Sequence, residues 1–233
     1  MSTGPKNFVK KAEQTLDFVL FDIGCGNGSR AYQWALTDKN AHVFCFDPLK
    51  SCITQAVTKS KDKYVIGRMH PFQAAVSMSG LGMTAAFYCS NDISSCSLLP
   101  FNNDTITRWK YPPGKTYFKT VETVQVPIIR MDKFMADRRI SRVLFVRIET
   151  QGTALDVVKS FGKLIKNVME FAIKVHTIDF EIYQGQTKKQ DLVNYMNSNG
   201  FSIYGVNSYS RDQEEIIYFV NRTMNKNNLH LDY

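Results

Sequence analysis

Three stretches of this sequence set polar or charged side chains beside glycine at spacings that ligand sites use. The first is Asp22-Ile23-Gly24-Cys25-Gly26-Asn27-Gly28. An apolar run over 17–22 leads into it, and residues 29–38 leave it as a predicted helix with Trp34 and Leu36 for packing. Glycine lets a strand-to-helix turn approach a ligand closely, and the helix start behind it offers unpaired N–H groups. In dinucleotide sites such a turn holds pyrophosphate. Here an acid directly before the glycines would repel pyrophosphate and suits a group carrying ammonium or sulfonium charge. The G-x-G-x-G spacing also departs from the dinucleotide G-x-G-x-x-G. A plain glycine-rich turn without a ligand is the competing reading.

The second stretch, His42 to Asp47, repeats the pattern of an apolar run closed by an acid, with Pro48 next. A carboxylate at that strand end accepts hydrogen bonds from both hydroxyls of a ribose. It serves equally as a cap for the helix predicted to begin at Leu49. The third is Arg147-Ile148-Glu149-Thr150-Gln151-Gly152, at the end of a strand predicted over 142–149. Ligands of open parallel sheets sit beyond that strand edge. Alternation puts Arg147 and Glu149 on one side of the strand. Glu149 is therefore a candidate general base, with Gly152 leaving room for a substrate, and an Arg147–Glu149 ion pair is the structural alternative. His176 is a second candidate base, and a satisfied core histidine explains it equally.

These residues need a scaffold, and the sequence supplies one. Up to Ser60 the order is strand, glycine turn, helix, strand, acid, helix, which implies parallel strands joined by right-handed crossovers. Further strands are predicted over 73–77, 84–89, 124–130, 171–178, 202–206 and 215–220. Helices are predicted over 5–15, 153–166 and 191–199, the last stopped by Gly200. Residues 90–119 are long and aperiodic, either a functional loop or a surface excursion. The expected organisation is an N-terminal helical extension over 1–16, one domain over 17–221 and a flexible tail over 222–233.

The 233 residues, 44% hydrophobic and 12% aromatic, suit a single α/β domain. A net charge of +8 and a pI near 9.2 favour anionic partners and keep RNA open, although no long basic block marks a nucleic-acid arm. Five cysteines include no C-x-x-C pair, and four histidines no H-x-x-x-H, so neither a disulfide framework nor a metal site is expected. The sequence shows no apolar signal core and no run of membrane-spanning length, so a cytoplasmic protein is expected.

Several short motifs, taken in order, resemble the FkbM methyltransferases. They are DIGCGNG at 22–28, CFDP at 45–48, QAAVS at 73–77, SSCSLLP at 94–100, IIRMDKF at 128–134, VLFVRIETQG at 143–152, IYQGQ at 182–186 and NGF at 199–201. The likeness runs from about Asp17 to Asn221. It implies an α/β class I methyltransferase fold, Rossmann-like, with a mostly parallel seven-stranded sheet and helices on both faces. It also implies S-adenosylmethionine as cofactor and methyl transfer to oxygen. Carried over by position, Asp22, Gly24, Cys25, Gly26, Asn27 and Gly28 would hold the methionine part of the cofactor. Asp47, with Pro48 beside it, would hold the ribose, and the loop at Ala74 and Ala75 would lie near the adenine.

The departures fall on the acceptor side. The family's usual Lys-Ile-Asp-x-Glu-Gly is Arg147-Ile148-Glu149-Thr150-Gln151-Gly152 here, and an acid common in the next core strand is replaced by Lys174. Three functions follow as expectations. One is methylation of a hydroxyl on a sugar, lipid or small metabolite. Another is methylation of an RNA ribose 2′-hydroxyl, and the third is cofactor binding without acceptor chemistry.

Overall fold

A computed structural model describes residues 18–111, 114 and 118–224. The predicted helix over 5–15 and most of the predicted tail lie outside them. In chain order the elements begin β1 (Val19–Ile23), α1 (Ser29–Thr37), β2 (His42–Asp47), α2 (Lys50–Ser60) and β3 (Met69–Gln73). They continue with β4 (Ala75–Val76), β5 (Leu81–Ser90), β6 (Thr120–Ile129), α3 (Met131–Asp137), β7 (Val143–Ile148) and α4 (Ala154–Lys159). The chain then forms β8 (Val168–His176), α5 (Lys189–Ser198), β9 (Phe201–Tyr209) and β10 (Glu214–Asn221).

Seven strands form one sheet in the order β3-β2-β1-β7-β8-β10-β9. The pairs β1–β2, β2–β3, β1–β7 and β7–β8 are parallel, whereas β10 runs antiparallel to both its neighbours. The strand order reverses at β1, whose far neighbour is β7, and this is where an open α/β sheet leaves a crevice.

The central strands read as apolar runs because helices cover both faces. Phe21, Phe46, Val146 and Ile148 pack on one face against Phe134, Val157 and Leu192 of α3, α4 and α5. Leu20, Val43 and Cys45 pack on the other against Trp34 of α1 and Ala56 of α2. Phe134 meets Phe46 edge-on at 5.0 Å and Phe21 at 6.0 Å, contacts worth about 0.5–1.5 kcal/mol each beyond area burial.

A second sheet, β4-β6-β5, carries the long segment between β5 and β6. The described residues of that segment are neither wholly irregular nor loose. They include short 3-10 turns at Ile93–Ser95 and Ile106–Arg108. Phe101, Ile106 and Trp109 form a small core with Ile182 and Tyr183.

The structure differs from the predicted elements in instructive places. The predicted strand over 73–77 is two strands in two sheets. Gln73 ends β3, and Ala75–Val76 pair with β6. β3 itself escaped notice because His70 and Pro71 break its pattern, which an edge strand tolerates. The seven-residue α3 was also missed, although Met131, Phe134 and Met135 bury one face of it. The predicted helix over 153–166 stops at Lys159 and resumes as a 3-10 turn over Gly162–Asn167. A Cβ at Gly162 would lie 2.9 Å from Asp132 Oδ2, so the chain bends there with φ +49°. At the other end, the Asn221 amide donates to the carbonyls of Lys166 and Val168, and Met224 packs on the core.

Candidate functional site

The carboxyl ends of β1, β2 and β7 converge on a cleft of about 490 Å³. Its floor is the glycine turn. Gly24 and Cys25 both donate their N–H to the Phe46 carbonyl, at 2.9 and 3.0 Å, which ties the turn to β2. Gly24 has φ +80°, and a Cβ there would stand 2.7 Å from the Glu149 carbonyl oxygen. Gly26, at φ +56°, faces no protein atom within 4 Å of a built Cβ. Gly28 serves packing, since its Cβ would strike Ala56 and Met69. Asn27 Oδ1 accepts from Ser29 N–H at the start of α1.

Asp47 is the acid at the centre of the cleft. Its Oδ2 accepts from Gly26 N–H at 2.9 Å and its Oδ1 from Leu49 N–H at 3.0 Å. It thus fixes the chain at Leu49 just ahead of α2 and braces the glycine turn, and each oxygen keeps a lone pair for a ligand. Burial pushes its carboxyl up to about 6, against the opposing pull of the Leu49 and Gly26 amides.

Asp22 is placed differently. It is fully buried and does not line the cleft, and neither carboxyl oxygen finds a hydrogen-bond partner among the described residues. Burial lifts its carboxyl to about 7, Arg30 and Arg147 pulling down while Glu149 and Asp47 push up.

Of the predicted cofactor residues, Gly24, Cys25, Gly26, Asn27, Asp47, Pro48 and Ala75 line the cleft, as does Ala74. Asp22 and Gly28 lie behind it. Sequence reasoning missed Arg30, Cys52, Ser94 and Leu98, which also line it. Arg30 sits on the first turn of α1 directly after the glycines, a position that was legible. Ser94 and Leu98 come from the long segment, where no periodicity pointed to the cleft.

Glu149 stands at the end of β7. Arg30 donates to its Oε1 at 3.0 Å, and Arg147 donates to the same oxygen. Burial would raise its carboxyl, but Arg147, Arg30 and Lys174 outweigh that and hold it below the usual carboxylate range. Gly152 does not leave open room. A Cβ on it would meet Leu99, Gln186 and Tyr183 at 3.2–3.3 Å. Gln151 instead anchors the long segment, its amide donating to the Ser94 carbonyl while its own carbonyl accepts from Ser97 Oγ.

A second cavity of about 320 Å³ adjoins the first. Ser94, Glu149, Gln151 and Lys174 line both. His176 lines only the second, with its Nε2 3.6 Å from Glu214 Oε1. Lys174 Nζ approaches the same oxygen at 3.3 Å. Burial holds the His176 imidazole below its usual range, with Glu214 opposing and Lys174 assisting. His176 and Glu149 therefore share a cavity wall, but only Glu149 reaches the glycine cleft.

A buried acid between two strand ends, an open glycine cradle and a largely apolar cleft fit S-adenosylmethionine, which carries a ribose diol, an ammonium group and an adenine. Strand order and site together define a class I methyltransferase. Residues 22–203 match the family model of the methyltransferase FkbM domain, and the chain belongs to that family. Among solved structures it is similar to a methyltransferase FkbM from Methylobacillus flagellatus, with a TM-score of 0.54 and 13% identity over 89% of this chain. This chain spans 44% of that one's length, and at that identity the likeness is of fold alone. A fibrillarin from Aeropyrum pernix with bound S-adenosyl-L-methionine aligns at a TM-score of 0.49 and 10% identity, over 89% of this chain and 67% of that one. No curated protein matches. Among the described residues no helix is long and apolar enough to cross a membrane, and no cluster of side chains could hold a metal ion.

Proposed function

We propose that this protein transfers a methyl group from S-adenosylmethionine to a hydroxyl oxygen of a small acceptor bound in the second cavity. The shared wall carries this reading, because four residues line both cavities. A cofactor in one and an acceptor in the other meet there, and in-line displacement is above all a positioning problem. Bound S-adenosylmethionine supplies an electrophilic methyl on a sulfonium. Asp47 is assigned to its ribose hydroxyls, the backbone of Gly24 to Gly28 to its amino-acid end, and Leu49, Ala75 and Leu98 to its adenine.

Glu149 is assigned to the acceptor. Both guanidiniums take Oε1, and Oε2 accepts no hydrogen bond from the described residues. That oxygen orients the acceptor hydroxyl and receives its proton as the new bond forms. Held low by its cations, Glu149 is a weak base but a firmly placed one. Lys174 on the same wall stabilises charge that develops on the acceptor oxygen. His176, kept neutral by burial, is assigned to the acceptor cavity rather than to proton removal.

The test is Glu149→Gln, measured for S-adenosylhomocysteine affinity, melting temperature and single-turnover methyl transfer on one preparation. Cofactor affinity should be nearly unchanged, and turnover should fall by roughly 10²–10⁴. Normal turnover with a lower melting temperature would leave Glu149 as the structural partner of Arg147. Calorimetry showing no heat with either S-adenosylmethionine or S-adenosylhomocysteine would remove the whole reading.

A further inference from the structure

The second cavity has an outer rim as well as a shared wall. Two segments build that rim, Trp109 and Lys110 of the long loop and the turn between β9 and β10. Ser210, Arg211 and Asp212 hold φ of 50°, 60° and 64°. Three consecutive side-chain-bearing residues in the left-handed region are costly and persist only where the surroundings enforce them.

Gln213 does the enforcing. Its Oε1 accepts from Lys110 N–H at 2.7 Å, and its Nε2 donates to the carbonyls of Lys110 at 3.1 Å and Ser210 at 2.8 Å. Arg211 Nη1 donates to the Tyr111 carbonyl at 3.1 Å. The turn and the loop are thereby fastened together, with Lys110 and Arg211 both exposed and both lining the cavity.

Neither cation has a carboxylate partner among the described residues. The acids of the cavity are engaged elsewhere. Glu214 faces Lys174, Glu149 is gripped by two guanidiniums, and Asp92 caps the turn at Ser94. The cavity therefore presents two uncompensated positive charges at its rim. Trp109, Phe118, Tyr183 and Tyr209 supply ring surface between that rim and the shared wall. At about 320 Å³ it lies at the low end of small-molecule sites, which span roughly 300–1,000 Å³.

We propose that the cavity takes a small hydroxyl-bearing acceptor that also carries an anionic group, a phosphate ester or a carboxylate. Lys110 and Arg211 hold the anion, the aromatic side chains flank the body, and the hydroxyl reaches Glu149. This assignment rests on the methyl-transfer reading above.

The test uses the 233-residue chain with S-adenosylhomocysteine added, titrated with inorganic phosphate, glucose 6-phosphate, glucuronate and glucose. The two tryptophans are Trp34 and Trp109, so Trp34→Phe leaves Trp109 as a fluorescent reporter inside the cavity. The anionic probes should give a saturable Trp109 change that weakens with added salt. In Lys110→Ala/Arg211→Ala that binding should weaken at least tenfold while S-adenosylhomocysteine affinity stays unchanged. Tighter binding of glucose 6-phosphate than of glucuronate assigns the phosphate ester, and the reverse order assigns the carboxylate. The proposal is overturned if no probe saturates, if glucose binds as well as the charged probes, or if the double variant binds them as before. It is equally overturned if a short single-stranded RNA binds far more tightly through the same two cations. Failure of the methyl-transfer reading shows separately, as absence of S-adenosylhomocysteine binding to the unmodified chain.

Discussion

Asp22 is a buried acid whose protonation sets a measurable part of the fold's stability. Its oxygens have no hydrogen-bond partner among the described residues, and burial lifts it from 3.8 to about 7. A carboxyl raised in the folded state favours folding below its unfolded value and loses that advantage as pH climbs through the folded one. Asp22 should therefore begin to destabilise the fold near pH 4, and the penalty should be complete a little above pH 7. At 1.36 kcal/mol per pH unit, the full cost of ionising it is on the order of 4 kcal/mol. Asn is close in shape and cannot ionise. Asp22→Asn should thus be more stable than the unmodified chain at pH 8, with a smaller gap at pH 5, where the folded-state carboxyl is still protonated. The gap should widen by about 3 kcal/mol between those pH values. At roughly 2–4 °C per kcal/mol for a chain of this size, that is about 5–10 °C in melting temperature. Thermal melts of both proteins without cofactor, from pH 4.5 to 8.5, give the difference directly, and the lowered histidines cancel because both proteins contain them. A melting-temperature difference that stays constant across the range would refute the reasoning, because a pH-independent effect is one of packing and not of charge.

Other substitutions probe the cleft. Asp47→Asn turns one carboxyl acceptor into a donor facing either Gly26 N–H or Leu49 N–H. An amide group in place of the carboxylate also leaves a ribose hydroxyl without its acceptor, at about 1–3 kcal/mol, so S-adenosylhomocysteine should bind roughly 5–150-fold more weakly by calorimetry. Gly26→Val should abolish cofactor binding while circular dichroism stays native, since the built Cβ meets no protein atom and only the positive φ is strained. Gly24→Ala should instead lower the melting temperature, because its Cβ would press on the Glu149 carbonyl at 2.7 Å. Normal stability there would show that β7 yields freely at that point.

The parts of this protein legible from sequence alone were those set by local pattern. Short apolar runs followed by an acid marked β1, β2 and β7, because strands covered on both faces need no polar alternation. Closely spaced glycines after a strand marked the turn that became the cleft floor, and the acid closing the next strand marked Asp47, which lines the same cleft. What stayed hidden depended on contacts distant in sequence. Lys110 and Arg211 meet at one rim only because Gln213 clasps the loop to the β9–β10 turn. The Arg147–Glu149 pair was legible from strand alternation, but Arg30 joins it on the same oxygen only because β1, which leads into α1, lies beside β7 in the sheet. Asp22, which the resemblance assigns to the methionine part of the cofactor, lies fully buried behind the turn. Strand alternation set which face it occupies, but the depth of packing above that face decided whether it meets solvent, and packing depth is a property of the assembled layers.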